Sequence, residues 1–227
     1  MSNLEQYFAL VRKHPEMFAN PPRGEIAILL DENQIHEVEA HMRQQYESKG
    51  QPIEWAQVGI AYRDQYVLLL RDAVRFPDGT LGTYFRLVDD DGTPGVIILP
   101  VYQGQILLTR HFRHATRIWH IEIPRGFGMK GLSNEENARR ELQEETGATI
   151  ARLVSLGQAY PNTGATSERN EFFFAEISSY QAPDAHEGIS ELFLVTVAEF
   201  EGFIRDNAIN DEFTIVAYMF AKLRKLL

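Results

Sequence analysis

The chain has no cysteine among its 227 residues. Disulfides, thiolate zinc sites and cysteine nucleophiles are therefore excluded, and the composition fits a reducing, cytoplasmic setting. Positive charge is also scarce. Against 32 Asp and Glu there are 22 Lys and Arg, a formal net charge of −10. A chain-wide basic footprint for nucleic acid or an anionic membrane is missing, so neither is expected as a partner. No apolar run approaches the ~18 residues that a membrane span needs. The opening MSNLEQYFALVRKH has no uninterrupted apolar core of the signal-peptide kind. An acidic chain that handles phosphates must concentrate Arg or Lys locally or recruit metal ions.

What is present suits one main domain with an attachment. Hydrophobic residues make up 44%, enough for a sizeable core. Periodicity predicts helices over 3–13 and 33–48, the second with a thin stripe of Ile35, Val38 and Met42 that suggests weak packing or a partner. A β-rich stretch follows to residue 88, with a turn at Pro77-Asp78-Gly79. The polar run Asp89-Asp90-Asp91-Gly92 marks a boundary, with a softer one near residue 55. Beyond it, GVIILPVY and QILLTRHF flank Gln103-Gly104 as a hairpin, and WHIEIP is a short strand. A helix is predicted over 133–146, with Ser133 as N-cap, Glu136 completing a capping box and Gly147 at the C-terminal end. Strands at LVSLGQAY, EFFFAEI and ELFLVTV and helices near 197–206 and 211–226 complete the chain. The irregular order of strands and helices predicts an α+β sandwich around a mixed sheet.

One stretch carries chemistry: PRGFGMKGLSNEENARRELQEETGA, residues 124–148. On a helix, positions three and four apart share a face, so Glu141, Glu144 and Glu145 are expected to project together while Ala138 and Leu142 turn to the sheet. Arg140 stands four residues before Glu144 and can pair with it. Converging carboxylates repel unless a cation sits among them, and Mg²⁺, or Mn²⁺ in its place, favours oxygen ligands. Gly126, Gly128 and Gly131 would let backbone approach such an ion. The bland alternative is a solvated acidic face.

Gly126, Arg140, Glu141, Leu142, Glu144, Glu145, Gly147 and Ala148 stand in the register of the Nudix hydrolase motif, which this chain resembles over roughly residues 82–226. Leu132 occupies the place of the motif's first glutamate. GVIILPV, RHFR, WHIEIPRG and NTGATSER resemble the branch that hydrolyses ADP-ribose and nucleoside diphosphate sugars, with Thr163 where that branch usually has proline. The resemblance implies a Nudix-type α/β/α sandwich over 91–227 and an N-terminal helical and antiparallel-strand extension over 1–90, a possible dimerisation element. It implies Mg²⁺-dependent cleavage of a nucleoside diphosphate linked to another moiety. Glu141 and Glu145 become the leading metal ligands, joined by the Arg125 carbonyl. Glu144 becomes a further ligand or a neighbour oriented by Arg140. Arg110, Arg113, Glu122 and the Arg125 side chain become substrate contacts. Glu187 is the first choice of general base, Glu191 the second and Glu168 the third. His111 and His114 read as surface or packing residues. Trp119 and Tyr160 could stack on a base, although aromatics near strands more often serve cores or interfaces. The rival expectation is a Nudix-fold binding or regulatory protein with little turnover, favoured by Leu132 and Thr163.

Overall fold

Side-chain caps start the helices where the sequence offers them. The Ser2 hydroxyl oxygen accepts from the Glu5 N–H and the Glu5 carboxylate accepts from the Ser2 N–H, which opens α1 (Asn3–Lys13). The short strand β1 (Ala27–Ile28) precedes α2 (Glu32–Ser48), capped by Asp31. Three strands follow, β2 (Gly59–Arg63), β3 (Leu68–Arg75) and β4 (Leu81–Val88). Next come β5 (Gly95–Tyr102), β6 (Gln105–Arg113), β7 (Ile118–Glu122) and β8 (Arg125–Gly126). The chain closes with α3 (Asn134–Thr146), β9 (Thr149–Ala159), β10 (Asn170–Ser179), β11 (Ile189–Val195), α4 (Val197–Arg205) and α5 (Glu212–Leu223). These elements come from a computed structural model that describes residues 2–22, 26–88, 92–181 and 188–227. The sequence pattern finds every long element and misses β1 and β8, which at two residues each are too short to show a period.

The chain divides into two compact units. The first comprises Met1–Asp90 together with Asn162–Ser167; the second comprises Asp91–Pro161 and Glu168–Leu227. In the first unit β3 is the centre of a four-stranded antiparallel sheet, paired with β1, β2 and β4. Tyr7 and Leu10 of α1 pack with Phe18, Leu68, Leu70 and Val88. Ile35 and Val38 of α2 pack with Val58 and Ala73, so the thin stripe of α2 is absorbed within the unit. Residues 162–167 join this unit by backbone bonds. The Leu87 N–H donates to the Ala165 carbonyl (2.8 Å) and the Ser167 N–H to the Leu87 carbonyl (3.0 Å).

The second unit is a seven-stranded mixed sheet in the order β11-β6-β5-β10-β9, with β7 on β6 and β8 on β5. Among the described residues of this sheet, β5 and β10 run parallel and the other pairs are antiparallel. The period of two sends alternate residues to opposite faces. Ile97, Leu99, Phe172 and Phe174 meet the α4–α5 side, with Phe200, Ala217 and Tyr218. Val96, Ile98, Leu107, Phe173 and Ala175 meet Ala138 and Leu142 of α3. This is the α+β sandwich expected. The hairpin turn between β5 and β6 has positive φ at both Gln103 (50°) and Gly104 (79°), as a two-residue turn matching strand twist requires. Among the described residues no helix is long and apolar enough to cross a membrane.

A polar network ties the first unit together. Buried Asp72 accepts from Tyr7 Oη (2.5 Å) and Arg86 Nε (2.5 Å), and Arg86 Nη1 donates to the Met17 carbonyl (2.8 Å). Removing Asp72 strands a buried hydroxyl and a guanidinium. Asp72→Ala is expected to destabilise this unit by about 3 kcal/mol in urea unfolding. A loss below about 1 kcal/mol would show that the network does not support the unit.

Candidate active site

α3 brings the acidic motif to the sheet. Ser133 and Glu136 form the expected capping box, and Gly147 ends the helix with φ 60°. Ala138 and Leu142 enter the core. Glu141 and Glu145, one turn apart on the same side, are buried beside them. Glu144 is not. Its side chain is half exposed and accepts from Arg140 Nη1 (2.7 Å). The same guanidinium pairs with Glu141 and donates to the Phe127 carbonyl (3.2 Å). The expectation that all three glutamates converge is thus corrected. Residues 141 and 145 share a buried helix face, whereas Glu144 is half exposed and held by Arg140. Among the described residues, no three His, Asp or Glu side chains are gathered in the manner of a metal site.

Two strands complete the surroundings. β8 pairs with the start of β5, Gly126 opposite Val96. A Cβ at Gly126 would stand 2.1 Å from the Glu141 carboxylate, so a side chain there would push that carboxylate from its place. The Arg125 N–H donates to Glu145. On the hairpin of β6 and β7, Thr109 stands opposite Glu122 and His111 opposite His120. Glu122 is fully buried. It touches His111 Nδ1 (3.1 Å), the Arg113 guanidinium and Arg125 Nη2 (3.4 Å). Arg125 also pairs with Asp211 (3.0 Å) and lies over the Phe213 ring (4.6 Å). Arg113 Nε is buried without a hydrogen-bond acceptor.

These charges set protonation. Burial disfavours an ionised Glu122, but contacts from His111 and Arg113 and the charges of Arg113 and Arg125 outweigh it and hold the carboxyl below its ordinary value. Glu145 goes the other way. Burial, opposed by Arg113 and reinforced by the charges of Glu141 and Glu122, pushes it up to about 8. Two neighbouring buried carboxylates of which one retains its proton form a hard-oxygen donor set short of positive charge. That chemistry fits a divalent cation, and the residues that would hold it are Glu141, Glu145 and a main-chain carbonyl at Arg125.

The other expected site residues divide. Arg113 is within this group, but Arg110 is on the opposite face of β6 and pairs with Glu191 (3.5 Å). Odd spacing along a strand separates them. Arg110 and Glu191, expected among the substrate contacts and the base candidates, thus stand apart from the group around Glu122. Glu122, expected to touch substrate, is buried and engaged by three basic side chains. Glu168 accepts from Asn170 Nδ2 (3.4 Å), and Asn170 is opposite Gly95 in the parallel pairing with β5. A Cβ at Gly95 would lie 3.5 Å from the Gly126 carbonyl, so Glu168 is at the same end of β5 as the glycine turn. Glu187 lies outside the described residues. His111 is a buried partner of Glu122, while His114 pairs with Arg117 Nη1 (2.8 Å). Trp119 and Tyr160 are half exposed, and Trp119 packs edge-on to Phe112. Sequence reasoning missed Asp211, Asn137 and Asn170. Asp211 carried one signal, its place as N-cap of α5.

Residues 92–216 match the NUDIX domain, more than half of the chain, and the protein belongs to that family. Its relatives include the ADP-ribose pyrophosphatase of Bacillus subtilis (strain 168), 29% identical over 129 residues covering 55% of this chain and 69% of that protein. The GDP-mannose pyrophosphatase of Yersinia enterocolitica serotype O:8 / biotype 1B is 29% identical over 167 residues, 63% of this chain and 87% of that protein. The methanol dehydrogenase activator of Bacillus methanolicus is 25% identical over 169 residues, 73% and 90% of the two chains. A crystal structure of an ADP compounds hydrolase shares the fold, with TM-score 0.64 at 19% identity over 73% of this chain and 90% of that one.

The raised Glu145 predicts a pH dependence in metal-free protein. Its carboxyl binds the proton more tightly folded than unfolded, so the folded state carries the extra proton between the ordinary value of 4.5 and about 8. This contribution to stability is full below that window and is lost as pH rises through it. The thermal midpoint in EDTA should fall between about pH 5 and about pH 8, and Glu145→Gln should flatten that fall. Equal slopes in wild type and variant would remove Glu145 as the cause.

Proposed function

We propose that this chain is a Mg²⁺-dependent hydrolase of the pyrophosphate in a nucleoside diphosphate linked to another moiety, with ADP-ribose and nucleotide sugars as the first substrates to test. The observation that carries the reading is the buried pair Glu141 and Glu145 against Gly126, with Arg113 and Arg125 organised beside it by Glu122. The pyrophosphatase relatives support the substrate class. Glu141, Glu145 and the Arg125 carbonyl would hold a divalent ion, which would supply positive charge for a diphosphate and would make a water more acidic. Mn²⁺ has the same ligand preference and is the natural substitute.

Each protein group then has a defined task. Arg140 holds Glu141 in place and keeps Glu144 beside it as an outer carboxylate. Arg113 offers its free Nε–H to a phosphate oxygen, and Arg125 adds a second guanidinium. A carboxylate takes the proton of the attacking water, with Glu187 as first choice and Glu168 next. Water adds to one phosphorus and the bridging oxygen leaves with the other, giving a nucleoside monophosphate and a phosphorylated partner. The setting is cytoplasmic.

A second reading is a nucleotide-binding regulator with little turnover. Its support is the likeness to the methanol dehydrogenase activator and the presence of Leu132 in the motif. Incubation with ADP-ribose, several nucleotide sugars, NADH and a dinucleoside polyphosphate, with Mg²⁺, Mn²⁺ or excess EDTA, separates the two. Metal-dependent product from one compound is expected. Silence across the panel, with binding seen by thermal shift, would favour the regulator. Glu145→Gln should lower turnover by about a hundredfold or more without unfolding the protein; an undiminished rate would remove Glu145 from the metal set.

The protein is further proposed to form a homodimer through its first unit. Tyr62, Leu69 and Leu87 stand side by side across β2, β3 and β4, with Phe85 near them, and Tyr62, Phe85 and Leu87 are exposed. An exposed apolar sheet face of this kind favours burial against a second copy. Light scattering at micromolar concentration should give twice the 26.0 kDa chain mass. A monomeric mass would reject the dimer.

A further inference from the structure

Asn137 is an unusual choice for its position. Asparagine is a poor helix former because its side chain competes for backbone bonds. Yet Asn137 is inside α3 and fully buried. Its amide is used on the loop that follows β8. Oδ1 accepts from the Met129 N–H (2.8 Å), and Nδ2 donates to the Met129 carbonyl (3.4 Å). One side chain thus satisfies both backbone groups of one loop residue, as a neighbouring strand would.

The loop has little freedom beside it. A Cβ at Gly128 would lie 2.4 Å from the Pro94 carbonyl, 2.5 Å from Thr93 Cγ2 and 3.4 Å from Asn137 Nδ2. Arg140 adds a second tie at the Phe127 carbonyl (3.2 Å). The Leu132 N–H closes the turn onto the same Met129 carbonyl (3.2 Å), while the Leu132 side chain brings no polar group. Met129 is therefore the point at which helix and loop are joined. A neutral amide makes this join without adding negative charge near Glu141 and Glu145.

We infer that Asn137 is a positioning residue that holds the glycine loop from Gly126 to Leu132 beside the buried carboxylates, and that it supplies the polar side-chain tie to this loop that the apolar Leu132 cannot. The inference rests on the functional reading above for its effect on turnover, but its structural half stands apart from that reading.

The test compares Asn137→Ala and Leu132→Glu, singly and together. Hydrogen exchange of the Met129 amide is measured in metal-free protein, and kcat and KM are measured on the substrate found in the panel. Asn137→Ala should speed Met129 exchange by about tenfold or more, since the amide loses its acceptor. It should lower kcat by roughly tenfold to a hundredfold, the range for supporting residues around a metal site, with KM changed by less than about twofold. Adding Leu132→Glu should recover most of both losses, whereas Leu132→Glu alone should change kcat by less than about twofold. Recovery by a residue at 132 is an outcome that general destabilisation does not give.

Unchanged Met129 exchange in Asn137→Ala, or losses that Leu132→Glu fails to recover, would overturn the inference. If Asn137→Ala does not fold, Asn137→Asp decides the matter, because it keeps the acceptor. Retained Met129 protection in that variant supports the inference and lost protection overturns it. A wild-type protein silent on every substrate would defeat the functional reading, while Met129 exchange and its recovery would still settle the role of Asn137.

Discussion

Burial of negative charge beside one face of the second unit's sheet is the constraint on which this site depends. Glu122, Glu141 and Glu145 are all withdrawn from water. An ionised carboxylate in such surroundings is costly unless it gains a cation, hydrogen bonds or a proton. The three glutamates meet that demand differently. Glu122 gathers His111, Arg113 and Arg125. Glu141 takes Arg140. Glu145 has the Arg125 N–H and the more distant charge of Arg113, which do not suffice, and its carboxyl holds a proton to about pH 8.

The neighbouring architecture follows from those demands. The Glu141 carboxylate occupies the space of a side chain at position 126, so any larger residue there would displace that carboxylate. Arg125 serves two acids, Glu122 and Asp211, and lies over Phe213, so one guanidinium links β8 to the start of α5. Asp211 caps that helix at the same time, accepting from the Thr214 N–H. Thr214 in turn accepts from the Ile123 N–H (3.1 Å), which fixes the strand just before the arginine. Charge balance and chain geometry are thus met by the same residues.

Family membership is consistent with this economy. The NUDIX match spans the sheet and α3, and the relatives that carry it include pyrophosphatases for two different nucleoside diphosphate compounds. The carboxylate pair and its glycine turn lie within the matched residues. Discrimination between substrates is a matter of contacts with the rest of the molecule. Leu132 stands within the matched residues, in a loop that Asn137 and Arg140 tie to α3.

Local patterns in the chain determined the long helices and strands, the capping box at Ser133 and Glu136, the two-residue turn at Gln103-Gly104 and the acidic motif itself. Each depends on residues close in sequence, where helical and strand periods and cap chemistry act directly. Tertiary structure alone decided which charges meet. The pairing of β6 with β7 and β11 put Arg113 with Glu122 and sent Arg110 to Glu191. The pairing of β5 with β8 set Gly126 against Glu141, and packing of α3 left Glu144 to solvent. Asn137 found its partner eight residues back in a loop without periodicity. Such choices turn on sheet register and on the cost of burying charge, which depend on neighbours that sequence spacing does not specify.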